Sequence, residues 1–379
     1  MPESFVHIGF PSRIVFGPGS LDRVAGEVEL LGISRALLIS TGSVRESADL
    51  IELALGDRFA GRIDEVRQHV PVDRAEAARA KAAEVGADGI VALGGGSAIG
   101  LAKAIALTTA LPILAVPTTY AGSEMTPVWG QTADGMKTTG TDLAVLPRTV
   151  VYDPVLSSRL PLAITAASVA NALAHCVEAT WTPKADPITE VTAVEGARAL
   201  REGLLAVIED RHDLDARGNL LYGAGLAGSA LASAGTGLHH KLCHLLGGAY
   251  GLPHAETHAA VLPHVTRLNA SAVPRAKARL EAALETTDLA VGLFDLFTTA
   301  GVPTSLKSLG LTEHQAKDAA HSFAASGVEN VVPIDEQALT DLLLSAWSGD
   351  RPRAAEHGPS SSTTYPPGAA GRGSQGVAR

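Results

Sequence analysis

Gly89-Ile-Val-Ala-Leu-Gly-Gly-Gly-Ser97 is the stretch that decides the fold. A short apolar run bounded by glycine reads as a strand buried on both faces. It passes straight into three glycines and a serine, and a helix is expected from there to about Thr109. Glycines let a backbone approach a phosphate, and the unpaired N–H groups and dipole of a helix start favour an anion. The spacing is not G-x-G-x-x-G, because the glycine after Gly96 is Gly100. A tight strand-to-helix connection would account for the glycines alone. Their place at the carboxyl end of a parallel strand favours a pyrophosphate on Gly94, Gly95, Gly96 and Ser97.

The same pattern continues on both sides. Ala36-Leu-Leu-Ile-Ser40, Pro112-Ile-Leu-Ala-Val116 and Arg148-Thr-Val-Val-Tyr152 are three more short strands, with helices expected at 44–55 and 73–86. Strands alternating with helices imply right-handed crossovers and a Rossmann-like parallel sheet. Residues 5–16 alternate around Gly-Phe-Pro-Ser and suggest a hairpin or paired strands. Ser40-Thr41 stand where an acidic ribose reader is expected. Without a carboxylate there a 2′-phosphate is not repelled, so both NADH and NADPH stay open. Pro117-Thr-Thr-Tyr-Ala-Gly-Ser-Glu124 follows the strand at 112–116. Thr41, Thr118, Thr119 and Ser123 are therefore read as cofactor contacts.

After Asp153-Pro154 strand signals nearly vanish. Helical periodicity covers 165–181, 187–209, 213–234, 237–248, 257–268, 274–284, 289–300, 312–322 and 335–347. The expected architecture is an α/β dinucleotide-binding domain over 1–157 and an all-α catalytic domain over 158–349. A Pro/Gly/Ser/Arg-rich tail over 350–379 has almost nothing to bury and reads as disordered.

Composition narrows the function classes. A net charge of −10 argues against nucleic acid or an anionic membrane as the main partner. Two cysteines, Cys176 and Cys243, exclude a disulfide framework and suit a reducing compartment. Met-Pro-Glu-Ser lacks the basic-then-apolar start of a signal peptide, and no apolar run reaches membrane-span length. A soluble cytoplasmic enzyme is the expectation.

Leu238-His-His-Lys-Leu-Cys-His244 and Leu252-Pro-His-Ala-Glu-Thr-His258 place five histidines within twenty-one residues. Upstream, Asn171-Ala-Leu-Ala-His175 puts an amide and a histidine four apart on one helical face. His175, His240 and His254 with a carboxylate at position 171 would suit zinc or iron. Asn171 is a neutral amide, a poor ligand for a dication, so no metal is expected. His240 and His244 share a face and are the first candidates for hydrogen-bond donor and general acid. Lys241 lies roughly 100° round the helix, placed either to meet a carboxylate or to be solvated. Asn171, His254, Lys241 and Tyr120 are the candidate substrate contacts, and His175 joins the catalytic set. His239 and His258 are open between packing and a direct role. Cys243 is expected to be a packing thiol. Glu124 and Glu256 are either ordinary charges or partners that orient a histidine.

Phe16-Gly-Pro-Gly-Ser20, the Gly94–Ser97 turn, Pro117–Glu124 and the spaced His175, His240, His244 and His254 resemble the iron-containing alcohol dehydrogenase superfamily. The resemblance spans roughly residues 5–350. Tyr120-Ala-Gly-Ser-Glu-Met-Thr-Pro127 and the two histidine segments are similar to its maleylacetate reductase branch, which also places Asn at position 171. The resemblance implies a two-domain homodimer that reduces the C=C bond of maleylacetate to 3-oxoadipate with NADH or NADPH. That step belongs to the degradation of hydroxyquinol and chlorocatechols, and its substrate is a small dicarboxylate. Thr141 stands where the branch has Arg, Ser168-Val-Ala replaces Ser-Gly-Leu or Ser-Gly-Met, and Glu256 replaces Gly. The competing readings are a Zn- or Fe-dependent alcohol dehydrogenase and an offshoot acting on another unsaturated keto acid. A lyase-type cyclase of the same fold would need more Lys and Arg around its pocket.

Overall fold

Short apolar runs converge on one sheet in the computed structural model, which describes residues 4–10, 12–67, 70–133 and 136–353. The strands are β1 (Arg13–Phe16), β2 (Ala36–Ser40), β3 (Phe59–Ile63), β4 (Gly89–Gly94), β5 (Ile113–Pro117), β6 (Val128–Ala133), β7 (Met136–Thr141) and β8 (Thr149–Tyr152). Among them run α1 (Val24–Leu30), α2 (Arg45–Leu55), α3 (Val72–Glu84) and α4 (Gly96–Thr109). Six strands form the main sheet in the order β1-β8-β5-β4-β2-β3, and every pairing in it is parallel. The chain reverses its direction across the sheet between β2 and β4, which makes their carboxyl ends the crevice where such sheets bind ligands.

Three expectations need correction. Among the described residues of 5–16 there is no hairpin: β1 joins the sheet edge in parallel with β8, Arg13 opposite Thr149. β3 was not anticipated, because its Phe-Ala-Gly-Arg-Ile sequence is only half-buried at the other edge. The hairpin of β6 and β7 was not anticipated either. It stands outside the main sheet, where no apolar run marks it.

The rest is helical. α5 (Pro154–Ser157), α6 (Leu162–Glu178), α7 (Pro187–Glu209), α8 (Leu214–Ala234), α9 (Leu238–Tyr250) and α10 (His254–Asn269) come first. α11 (Pro274–Ala283), α12 (Leu289–Thr299), α13 (Glu313–Ala324) and α14 (Glu336–Ser348) follow. Their starts have local causes. Asp186, Asp213, Asp288 and Asp335 each accept a backbone N–H from the first turn of α7, α8, α12 and α14. Thr312 and Gln315 close a capping box on α13.

One face of the sheet and the helical part share a continuous apolar core, from Leu37 and Ile90 to Leu204, Leu262 and Leu343. The other face packs separately on α1 and α2 through Val28, Leu38, Ile51 and Val116. Beyond the last helix, Arg351 forms two hydrogen bonds to Asp295, 2.8 and 2.6 Å long. The expected disordered tail lies largely beyond residue 353, outside the described residues. Among the described residues no helix is long and apolar enough to cross a membrane.

Candidate active site

The glycine turn and the histidine cluster are separate constructions joined by one loop. At the carboxyl end of β4, Gly94 has φ +148°, a conformation L side chains rarely adopt. A Cβ there would lie 2.9 Å from Ala98 Cβ and 3.3 Å from Thr41 Cγ2. A Cβ on Gly95 would lie 2.9 Å from Thr119 Cγ2, whereas one on Gly96 would meet only Ala121, at 3.6 Å. Packing thus explains Gly94 and Gly95, while the space beside Gly96 is open. α4 starts here with no side-chain cap and no acidic residue in its first turn. Its leading N–H groups and dipole face the crevice, an arrangement that fits a pyrophosphate. Thr118 N–H donates to Gly94 C=O at 3.1 Å, so Thr41, Gly94–Ser97, Thr118 and Thr119 are gathered as expected.

Ser123 is fixed by a different means. The fully buried ammonium of Lys103 on α4 donates to the carbonyls of Ser123, Thr126 and Val128 at 2.6, 2.7 and 2.8 Å. Burial, partly offset by Glu124, lowers the Lys103 pKa to about 7. Tyr120, expected to touch substrate, has its hydroxyl 3.1 Å from the buried guanidinium of Arg217 and serves packing in this structure. Its backbone N–H donates to Ser168 Oγ on α6 at 2.9 Å, which ties the loop after β5 to the helix that carries Asn171.

Three helices build the cluster. α6 supplies Asn171, His175 and Glu178 at i, i+4 and i+7, one helical face. α9 supplies His239, His240 and His244, and α10 supplies His254 and His258. The rings of His175 and His240 stack with centroids 5.0 Å apart. His258 lies 4.8 Å from both His239 and His240 and 4.5 Å from His254. His244 completes the ring of contacts, 6.3 Å from His240 and 6.0 Å from His254. All five expected members, Asn171, His175, His240, His244 and His254, are therefore together. Lys241 is exposed on α9, off their face.

Sequence reasoning missed the residue that organises the cluster. Glu178 has no exposed surface, and its Oε2 accepts the Nδ1–H of His240 at 2.5 Å. Its Oε1 accepts the backbone N–H of His239 at 2.6 Å. Burial alone would raise this carboxyl; the His240 charge and hydrogen bond, with His239 and the Gly237 N–H, outweigh it and hold the pKa at about 2. The signal was available, since Glu178 continues the 171–175 stripe. Glu124, weighed as an orienting partner, instead accepts from Tyr152 O–H at 2.8 Å. His239 and His258 are fully buried, and His239 Nε2 and His258 Nδ1 share a 2.9 Å hydrogen bond. Burial, then the neighbouring rings, drives His175 and His258 well below the ordinary histidine range and His239 to about 3. Cys243 is buried, with its thiol pushed far up by burial, as a packing role requires.

Four buried atoms of this cluster have no protein partner: Asn171 Oδ1, His175 Nδ1, His240 Nε2 and His258 Nε2. Unpaired buried polar atoms are costly and rarely gather in one place without a ligand to meet them. A cavity of about 160 Å³ lined by His7, Phe10, Met125 and Ser233 shares no residue with them.

A nucleotide-binding α/β part joined to a helical part with a histidine cluster matches a known class throughout. The chain belongs to the iron-containing alcohol dehydrogenase family, whose models match residues 11–154 and, for the C-terminal part, 165–347. It is similar to maleylacetate reductase 1 of Rhodococcus opacus, 46% identical over 92% of this chain and 98% of the relative. The maleylacetate reductase of Sphingobium indicum is also 46% identical, over 93% and 99%. The crystal structure of maleylacetate reductase from Agrobacterium tumefaciens superposes with a TM-score of 0.89 at 43% identity, covering 92% of this chain and all of that one.

The family name implies iron, and the residues gathered here offer it no uncommitted anionic donor. His239, His240 and His258 each offer a ring nitrogen within 4.8 Å of the others. Two of those rings are hydrogen-bonded to each other, and the carboxylate of Glu178 is committed to His240 and His239. Position 171, where an anionic ligand would stand, is an amide. A dication would face neutral donors alone.

Proposed function

We propose that this chain reduces the C=C bond of maleylacetate to 3-oxoadipate with NADH or NADPH, without a metal ion. The observation that carries the reading is the set of unpartnered buried atoms on Asn171, His175, His240 and His258, built around an anchored His240. Residues 1–157 hold the nucleotide, residues 158–349 hold the substrate, and the enzyme works as a cytoplasmic homodimer.

The loop after β5 and the cluster would flank a bound reduced nicotinamide, which would supply the hydride. Adding hydride to the carbon distal to the ketone drives the alkene electrons onto the ketone oxygen. The enolate that forms needs donors in place before it appears. His240 meets that need: its Nδ1–H is fixed on Glu178, which orients the ring so that Nε2 faces the substrate and donates when it carries a proton. His244, one turn further along α9 and less buried, delivers the proton to the former alkene carbon bonded to the ketone. The enolate then collapses to the saturated ketone. Asn171 contributes a neutral amide where a ligand anion would repel the substrate carboxylates, and His254 closes the same wall. Lys241, exposed beside the cluster, answers a substrate carboxylate from the rim.

The test is a reaction balance. Purified protein with maleylacetate should consume one reduced nicotinamide nucleotide per substrate and yield 3-oxoadipate by mass. Turnover of simple alcohols or aldehydes with maleylacetate untouched would overturn the reading in favour of an alcohol dehydrogenase.

A further inference from the structure

A carboxylate stands beside the end of β2 after all, supplied by the neighbouring strand. Ile39 is in register with Ile63, so Ser40 and Asp64 leave β2 and β3 side by side. Ser40 O–H donates to Asp64 Oδ1 at 2.6 Å, and Arg62 Nε–H donates to the same oxygen at 2.6 Å. Arg62 also donates to Asp49 Oδ1 on α2, at 2.6 Å. Both bonds to Asp64 land on Oδ1, which leaves Oδ2 for a ligand, and the side chain is 42% exposed. The cluster is not self-contained, because Arg62 Nη2 is buried without an acceptor.

The direction of a bound dinucleotide follows from the fold. Its pyrophosphate fits the Gly94–Ser97 turn, and its nicotinamide must reach the histidine cluster. The cluster is linked to β5 through the Tyr120–Ser168 hydrogen bond, on one side of β4. The adenosine half must run the other way, over Thr41, which touches Gly94, to the ends of β2 and β3.

We infer that Asp64, held by Ser40 and Arg62, reads the adenosine ribose and makes this chain favour NADH over NADPH. This rests on the nucleotide reading above. A free carboxylate oxygen accepts a ribose hydroxyl but repels a 2′-phosphate. Arg62 offers that phosphate little, since two carboxylates already share its charge and its unpaired Nη2 is buried. Arg45 at the start of α2 is the other nearby cation; it is exposed, where water screens it.

The test is direct binding to the purified enzyme, read from nucleotide fluorescence without substrate. NADH should bind at least about tenfold more tightly than NADPH, and Asp64→Asn should narrow that gap to within about threefold. In competition, 5′-AMP should displace NADH more effectively than adenosine 2′,5′-bisphosphate does. Equal affinity for the two nucleotides, or an unchanged gap in Asp64→Asn, overturns the assignment while leaving the nucleotide reading intact. Should that variant fail to fold, the gap in Ser40→Ala and the AMP competition on the wild type decide the assignment in its place. Binding of neither nucleotide overturns the nucleotide reading, and the assignment with it.

Discussion

A carboxylate with no exposed surface persists as an anion only where its charge is answered, and α9 answers Glu178 with two successive residues. That pairing fixes the ring of His240 and leaves its Nε2 without a protein partner; on the proposed reading the two residues act as one unit. His240→Ala should lower turnover of maleylacetate by roughly a hundredfold or more, the scale of one oxyanion donor. Glu178→Gln keeps the shape, loses the charge, and should cost roughly tenfold in kcat with a smaller change in KM. The double variant should be no slower than His240→Ala alone, because the carboxylate acts through the ring. Losses that multiply would show that Glu178 contributes packing rather than positioning.

At the scale of elements, α6, α9 and α10 meet through buried imidazole rings, several of them held well below the usual histidine range. His175 and His258 sit well below the usual range, His239 at about 3 and His264 at about 4, all chiefly through burial. Unfolded histidines titrate near 6.5, so below that pH the unfolded chain binds more protons and the folded state loses ground. The penalty is absent above the unfolded value and grows as pH falls towards the folded values, by about 1.4 kcal/mol per pH unit for each uncompensated proton. Glu178 adds a further loss from about pH 4.5 downward, since its folded pKa near 2 lies below its ordinary value. Calorimetric melting should therefore show Tm steady from pH 8 to 7 and dropping steeply below 6.5. A Tm unchanged down to pH 5 would mean the rings are not buried as described.

The whole molecule was legible in proportion to how repetitive its patterns are. Helical period fixed α7 as 187–209 and the other long helices to within a few residues, because apolar spacing persists over several turns. β3 escaped because Gly61 and Arg62 interrupt a half-buried edge strand, and with it escaped Asp64. The histidines were legible because pairs four apart announce a shared face. Glu178 shares that face in the sequence, but its role could be judged only once α9 is seen to deliver its N–H groups to it. The continuous core from Leu37 to Leu343 runs from the parallel sheet into the helices that carry the cluster. The central claim is that a histidine cluster anchored on Glu178 supports the reduction without a metal ion. Its most direct test is maleylacetate turnover by protein dialysed against a strong chelator, with bound Zn and Fe measured on the same sample. The account predicts undiminished turnover at far less than one metal ion per chain. Turnover that disappears with the metal and returns on adding iron or zinc would contradict it.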